Sequence, residues 1–134
     1  MSSILIIDDD PQIRGMLREA LESEGHTVRE SVNGVDGIES YRSTPVDLII
    51  CDLVMPEKSG ITMIRELVHD FPNLKFITMS GFTGSLGFTS LQFTQKMGAQ
   101  WTLPKPFELA EMLTAVRSAL GQSELQTSRC SYLT

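Results

Sequence analysis

Four stretches of this 134-residue chain concentrate side chains able to do chemistry. Asp8-Asp9-Asp10-Pro11 sets carboxylates side by side, and Asp52 closes an apolar run. Ser80 stands in Met-Ser-Gly, and Lys105 stands between Pro104 and Pro106. Crowded carboxylates repel one another, so they invite a hard divalent cation with oxygen ligands and retained waters, such as Mg²⁺. A carboxylate is already ionised at pH 7 and needs no general base to act as a nucleophile. A cation and a lysine offset its charge and stabilise charge on the oxygens of an anionic reactant.

These residues act together only if the fold gathers them. Ser3 to Ile7 is a short aliphatic run ended by Asp8. Ile13, Met16, Leu17, Ala20 and Leu21 follow at helical spacing, with Asp10 as N-cap, Pro11 at the first helical position and Gly25 as the stop. Thr27 to Ser31 predicts a second strand. Asn33-Gly34 opens a second helix, with Val35, Ile38 and Tyr41 inward. Asp47 to Cys51 is apolar on both faces, as in a central parallel strand. Ile61, Ile64, Leu67 and Val68 predict a third helix, and Leu74 to Met79 a fourth strand. A fourth helix of poor periodicity falls within Phe88 to Met97. Trp101 to Leu103 is a fifth strand, placed at a sheet edge by Pro104. Leu109, Met112, Leu113, Val116 and Leu120 form the last helix.

Strict alternation predicts an α/β fold, a doubly wound five-stranded parallel sheet with helices on both faces and right-handed crossovers. In such sheets ligands bind outside the carboxyl ends of the strands. Asp8 and Asp9 follow strand one, Asp52 strand three, Ser80 strand four and Lys105 strand five. Three carboxylates, a hydroxyl and an ammonium therefore converge on one edge.

In these motifs, I-L-I-I-D-D-D-P, D-L-V-M-P-E-K-S-G, M-S-G and P-K-P-F, the chain resembles the receiver domain of two-component response regulators. The similarity spans about residues 3 to 120. It implies a flavodoxin-like sheet of order 2-1-3-4-5. It also implies that Asp52 is the phosphoacceptor. Asp9, Asp52 and the backbone carbonyl of Val54 are implied as ligands of Mg²⁺, with Asp8 acting through water. Ser80 is implied to donate to a phosphoryl oxygen after transfer and to draw its loop inward. The Lys105-Pro106 bond is cis in the family. Met55, Pro56 and Gly60 are read as structural, shaping the turn beside Asp52. The phosphoryl donor implied is a sensor histidine kinase or a histidine phosphotransfer protein, and the surface of helix four and strand five is the switch.

The chain also departs from the family. Thr102 stands where an aromatic often reports the phosphorylated state, and Trp101 beside it points to the opposite strand face. Ser80 to Gly98 is long and holds Gly81, Gly84 and Gly87, predicting a long flexible loop and a short or mobile fourth helix. Residues 71–107 contain no acidic residue, while Phe82, Phe88, Leu91, Phe93 and Trp101 gather there. They predict a partly exposed apolar face over 82–103 for a downstream partner or self-association. Val54 and Phe82, two residues after Asp52 and Ser80, cannot orient an attacking water, so loss of the phosphoryl group is expected to be slow.

Composition bounds the alternatives. The chain is 41% hydrophobic and 21% charged, enough for one domain with one core. Its net charge of −6 and scattered basic residues argue against direct nucleic-acid binding. No apolar run approaches a membrane span, and the N-terminus has no basic leader, so the cytoplasm is expected. Cys51 and Cys130 form no framework; Cys51 reads as core and Cys130 as a tail thiol. His26 and His69 lie away from the strand ends and receive no role. Residues 1–121 are read as the receiver domain and 122–134 as a flexible tail. With no output segment after residue 121, action through a bound partner or onward phosphotransfer is expected. The chain is not expected to be an enzyme beyond its own phosphorylation and dephosphorylation. A Mg²⁺-dependent phosphatase with an aspartyl-phosphate intermediate is the enzymatic rival, weakened by the lack of a carboxylate two residues after Asp52. A phosphorylation-independent scaffold is the third reading, and the full set Asp9, Asp52, Ser80 and Lys105 argues against it. Neither glycine-rich nucleotide motif occurs.

Overall fold

A computed structural model describes residues 2–55, 59–81 and 85–121, with residues 85–90 described by their backbone. Its elements are β1 (Ser3–Ile7), α1 (Pro11–Ser23), β2 (Thr27–Ser31), α2 (Gly34–Ser43), β3 (Leu48–Asp52), α3 (Gly60–Asp70), β4 (Phe76–Ser80), α4 (Ser85–Lys96), β5 (Trp101–Pro104) and α5 (Leu109–Ala119). The strands form one parallel sheet, as their alternation with helices predicts, in the order β2-β1-β3-β4-β5 that the family resemblance implies. β3 and β4 are buried along their whole length, which explains their unbroken apolar character.

Alternate side chains go to opposite faces. Ile4, Ile6, Ile50, Ile77 and Met79 pack against Leu17 and Leu21 of α1 and Met112 and Val116 of α5. Leu5, Ile7, Ile49, Cys51 and Phe76 pack against Tyr41 of α2, Met63 and Leu67 of α3, and Leu91 of α4. The caps match the sequence. Asp10 accepts from the Gln12 N–H at 2.9 Å, and Pro11 opens α1. Gly25, at φ +95°, turns the chain after α1 in a conformation that L side chains rarely adopt. No described helix is long and apolar enough to cross a membrane.

Several details differ from expectation. Val35 is 46% exposed, while Gly34, Gly37 and Tyr41 are buried and Ile38 packs partly buried against the same core. A Cβ on Gly37 would lie 2.7 Å from Ile7 Cδ1, so α2 packs closely on the Ile7 side chain, which would have to shift to admit a larger residue. Met16, midway along α1, and Leu109, the first residue of α5, are also exposed. The fourth helix is not short. It starts at Ser85 and runs 12 residues. Its buried Leu91 and Thr94 pack on the sheet, and such packing outweighs the low propensity of Gly87. Of the expected loop before α4, Gly81 is described and residues 82–84 lie outside the described residues.

Among the described residues of the expected apolar face, Leu91 is buried, Trp101 packs against the α1–α5 core, and Phe93 is exposed, with the Arg65 guanidinium 5.7 Å from its ring centre. Phe82, the side chain of Phe88, Cys130 and the tail 122–134 lie outside the described residues.

Candidate functional site

The carboxyl edge of the sheet brings the candidate residues together. β1 ends at Ile7, and the Asp8 N–H continues the ladder to the Ser31 carbonyl at 3.2 Å. This carries Asp8 into the interior, where its side chain has no exposed surface. Asp8 Oδ1 accepts the Asp10 N–H at 2.9 Å, and Oδ2 accepts Lys105 Nζ at 3.0 Å. Asp9, the next residue, is exposed.

Asp52 is the last residue of β3 and is 4% exposed. Its Oδ1 accepts the Val54 N–H at 3.3 Å, and its Oδ2 lies 3.5 Å from Lys105 Nζ. One oxygen from each of Asp8, Asp9 and Asp52 falls within 4.8 Å of the others. An oxygen-only set carrying more negative than positive charge suits a hard divalent cation. The metal fits on those grounds.

Crowding leaves a mark on acidity. Burial, and then the charge of Asp8, push the Asp52 carboxyl up to about 6, against the smaller pull of Lys105 and the Val54 N–H. Burial also raises Asp8, opposed by the Asp10 N–H and Lys105. The Cys51 thiol next door is pushed up by burial and stays an inert core group.

The neighbouring strands complete the edge. Ser80 ends β4, fully buried, and its carbonyl accepts the Lys105 N–H at 2.7 Å. The Lys105-Pro106 bond is cis. Thr102 is half-buried and pairs in register with Thr78, on the α4 side of the sheet, while Trp101 faces the α1–α5 core as expected. Gly60 opens α3 hard against the site. A Cβ there would lie 2.3 Å from the Asp52 carbonyl oxygen, so the backbone fits only without a side chain. Met55 is buried in the α2–α3 core, Val54 is 57% exposed, and Pro56 lies outside the described residues. His26 is buried and accepts the Ser2 N–H at 3.3 Å, and His69 is exposed beside Asp70; neither joins the acidic cluster. A groove of about 320 Å³ lined by Ile13, Met16, Gly81, Lys105, Pro106 and Phe107 borders the site.

Sequence reasoning did not single out Arg14. Its Nη1 donates to the Asp8 carbonyl at 2.7 Å and its Nε to Glu30 at 2.8 Å. No local pattern marks it, because both acceptors come from other elements.

Comparison with known proteins agrees with this geometry. Residues 4–117 match the family described as response regulator receiver domain. The chain is 34% identical over 125 residues to the sensor kinase CckA of Brucella abortus, covering 92% of this chain and 13% of that protein. It is 31% identical over 115 residues to the chemotaxis protein CheY of Thermotoga maritima, covering 84% of this chain and 92% of that one. It spans from 13% to 52% of the length of the first curated relatives it matches. Among solved structures it superposes on a response regulator receiver domain protein from Clostridium thermocellum with a TM-score of 0.82 at 26% identity, covering 94% of this chain and 99% of that one. It also superposes on the response regulator TrrA of Thermotoga maritima, solved in complex with Mg²⁺-BeF, with a TM-score of 0.79 at 28% identity, covering 90% of this chain and 100% of that one. A parallel 2-1-3-4-5 sheet, an acidic cluster with its lysine at the carboxyl edge and a family match over residues 4–117 lead to one conclusion: the chain belongs to the receiver domains of two-component response regulators.

Proposed function

We propose that Asp52 is the phosphoacceptor of this receiver, taking its phosphoryl group from a histidine kinase or a histidine phosphotransfer protein in the cytoplasm. The observation that carries this reading is Lys105 Nζ, 3.0 Å from Asp8 and 3.5 Å from Asp52, at an edge where Asp9 completes the acidic cluster. Mg²⁺ held by Asp9, Asp52 and the Val54 carbonyl, with Asp8 acting through a bound water, would supply charge neutralisation on the transferring oxygens.

An Asp52 carboxylate oxygen attacks phosphorus in line as the donor's P–N bond breaks. The bonding pair stays on the imidazole nitrogen, and the ring leaves neutral when its other nitrogen carries a proton. Lys105 screens the approach of two anions and then holds a phosphoryl oxygen. The groove beside Lys105 gives a protein donor an apolar footing next to the attacking oxygen.

Ser80 then donates its hydroxyl to the phosphoryl group. One charge-assisted hydrogen bond of about 1.5–3 kcal/mol moves a two-state equilibrium by roughly one to two decades. Thr102 has no ring to rotate, so the signal passes through β4 and α4 to a protein partner on the 82–103 face. Catalysis in this reading extends only to the chain's own phosphorylation and its reversal.

The test is incubation with acetyl phosphate and MgCl₂, followed by mass spectrometry. A gain of one phosphoryl group is expected, lost in EDTA and in Asp52→Asn. A gain that survives Asp52→Asn overturns the assignment.

A further inference from the structure

Arg14 sits in the first turns of α1, with its side chain 15% exposed. Its planar fork bridges two elements: Nη1 meets the Asp8 carbonyl at 2.7 Å and Nε meets Glu30 Oε1 at 2.8 Å. Glu30, next to last in β2, is braced in turn by Arg18 Nη1 at 2.8 Å, and Arg18 Nε reaches Glu22 at 3.0 Å. Glu30 thus anchors the guanidinium at Nε, leaving Nη1 aimed at the Asp8 carbonyl.

The Asp8 carbonyl belongs to the planar peptide unit that ends at the Asp9 Cα. Clamping that oxygen sets the tilt of the unit and so the direction in which Asp9 leaves the chain. Asp8 has further restraints, from the Ser31 carbonyl, the Asp10 N–H and Lys105. Asp9 is exposed, and among the described residues no side-chain hydrogen bond ties its carboxylate. Its aim therefore depends on the peptide that Arg14 grips.

We propose that Arg14 is a positioning residue for the cation site, acting through the Asp8–Asp9 peptide; this rests on the reading of Asp9 as a ligand. Simple electrostatics gives the opposite sign. A guanidinium near an acidic cluster repels a divalent cation, so removing its charge would tighten binding. A role limited to stability would leave affinity unchanged.

Urea unfolding of the full chain in EDTA and across a MgCl₂ series reads metal-free stability and Mg²⁺ affinity together, because a ligand that binds only the folded state shifts the midpoint by mass action. Arg14→Met is expected to raise the Mg²⁺ dissociation constant about 10-fold, the low end for residues supporting ligands. Arg14→Lys keeps the charge and fills only one of the two acceptors. It guards against a variant that fails to fold, and its constant should fall between wild type and Arg14→Met. An unchanged or tighter constant in either variant overturns the proposal. Asp9→Asn should abolish the Mg²⁺ response. If it does not, Asp9 is no ligand and the reading beneath the proposal fails first.

Discussion

An anion held where the fold disfavours charge makes the metal-free protein less stable than it need be, and Asp52 is that anion. Its carboxyl, buried beside Asp8, has its pKa raised from 3.8 to about 6. A raised pKa means that the folded state binds the proton more tightly than the unfolded chain. The associated stability is fully present below about pH 4 and is lost as pH rises through about 6. Two units at about 1.4 kcal/mol each place the loss near ~3 kcal/mol at pH 7.5. Asparagine has nearly the same shape and cannot ionise. Asp52→Asn should therefore stabilise the protein in EDTA by about 3 kcal/mol at pH 7.5, a rise of roughly 1–2 M in urea midpoint. At pH 4 the gain should fall below about 1 kcal/mol. Added MgCl₂ should narrow the gap at pH 7.5, because only the wild type keeps the full ligand set. Equal midpoints at pH 7.5 in EDTA, or a gain that does not shrink on acidification, would refute the reasoning.

Three further outcomes are expected. Gly60→Ala places a Cβ 2.3 Å from the Asp52 carbonyl oxygen, which is backbone and cannot step aside. It should cost about 1–3 kcal/mol in thermal unfolding and impair phosphorylation by acetyl phosphate; a neutral substitution would mean that α3 shifts freely. Thr78 and Thr94 share a buried hydroxyl contact of 2.9 Å, and Thr94 donates onward to the Leu91 carbonyl at 2.9 Å. Thr94→Val should cost about 1–3 kcal/mol by stranding the Thr78 hydroxyl, and the double valine variant should recover part of it; a double variant no better than the single one counts against the pairing. Val54, exposed and apolar, cannot orient a water toward phosphorus, so the phosphoryl group on Asp52 should persist for minutes or longer in the purified protein, and a half-life of seconds would contradict this.

Much of the molecule was legible in one dimension because its determinants are local. Short aliphatic runs followed by 3.6-residue stripes identify β and α segments wherever they fall. Residues at or just past the end of each parallel strand must lie on the carboxyl edge, which is why Asp8, Asp52, Ser80 and Lys105 group together from the sequence alone. Capping by Asp10 and the turn at Gly25 likewise depend only on neighbours in the chain. Other features depend on contacts between distant segments. Val35 faces outward while Gly34, Gly37 and Tyr41 face the core, with Gly37 close against the Ile7 side chain, a fit that periodicity does not contain. α4 spans 12 residues because β4 and β5 receive Leu91 and Thr94, overriding its glycine content. The grip of Arg14 on the Asp8 carbonyl joins elements that no motif links. The elevated acidity of Asp52 comes from burial and from the Asp8 charge, and both exist only once the strands are side by side. Spacing along the chain thus named the reacting groups, while packing set their distances, their charge states and what holds them.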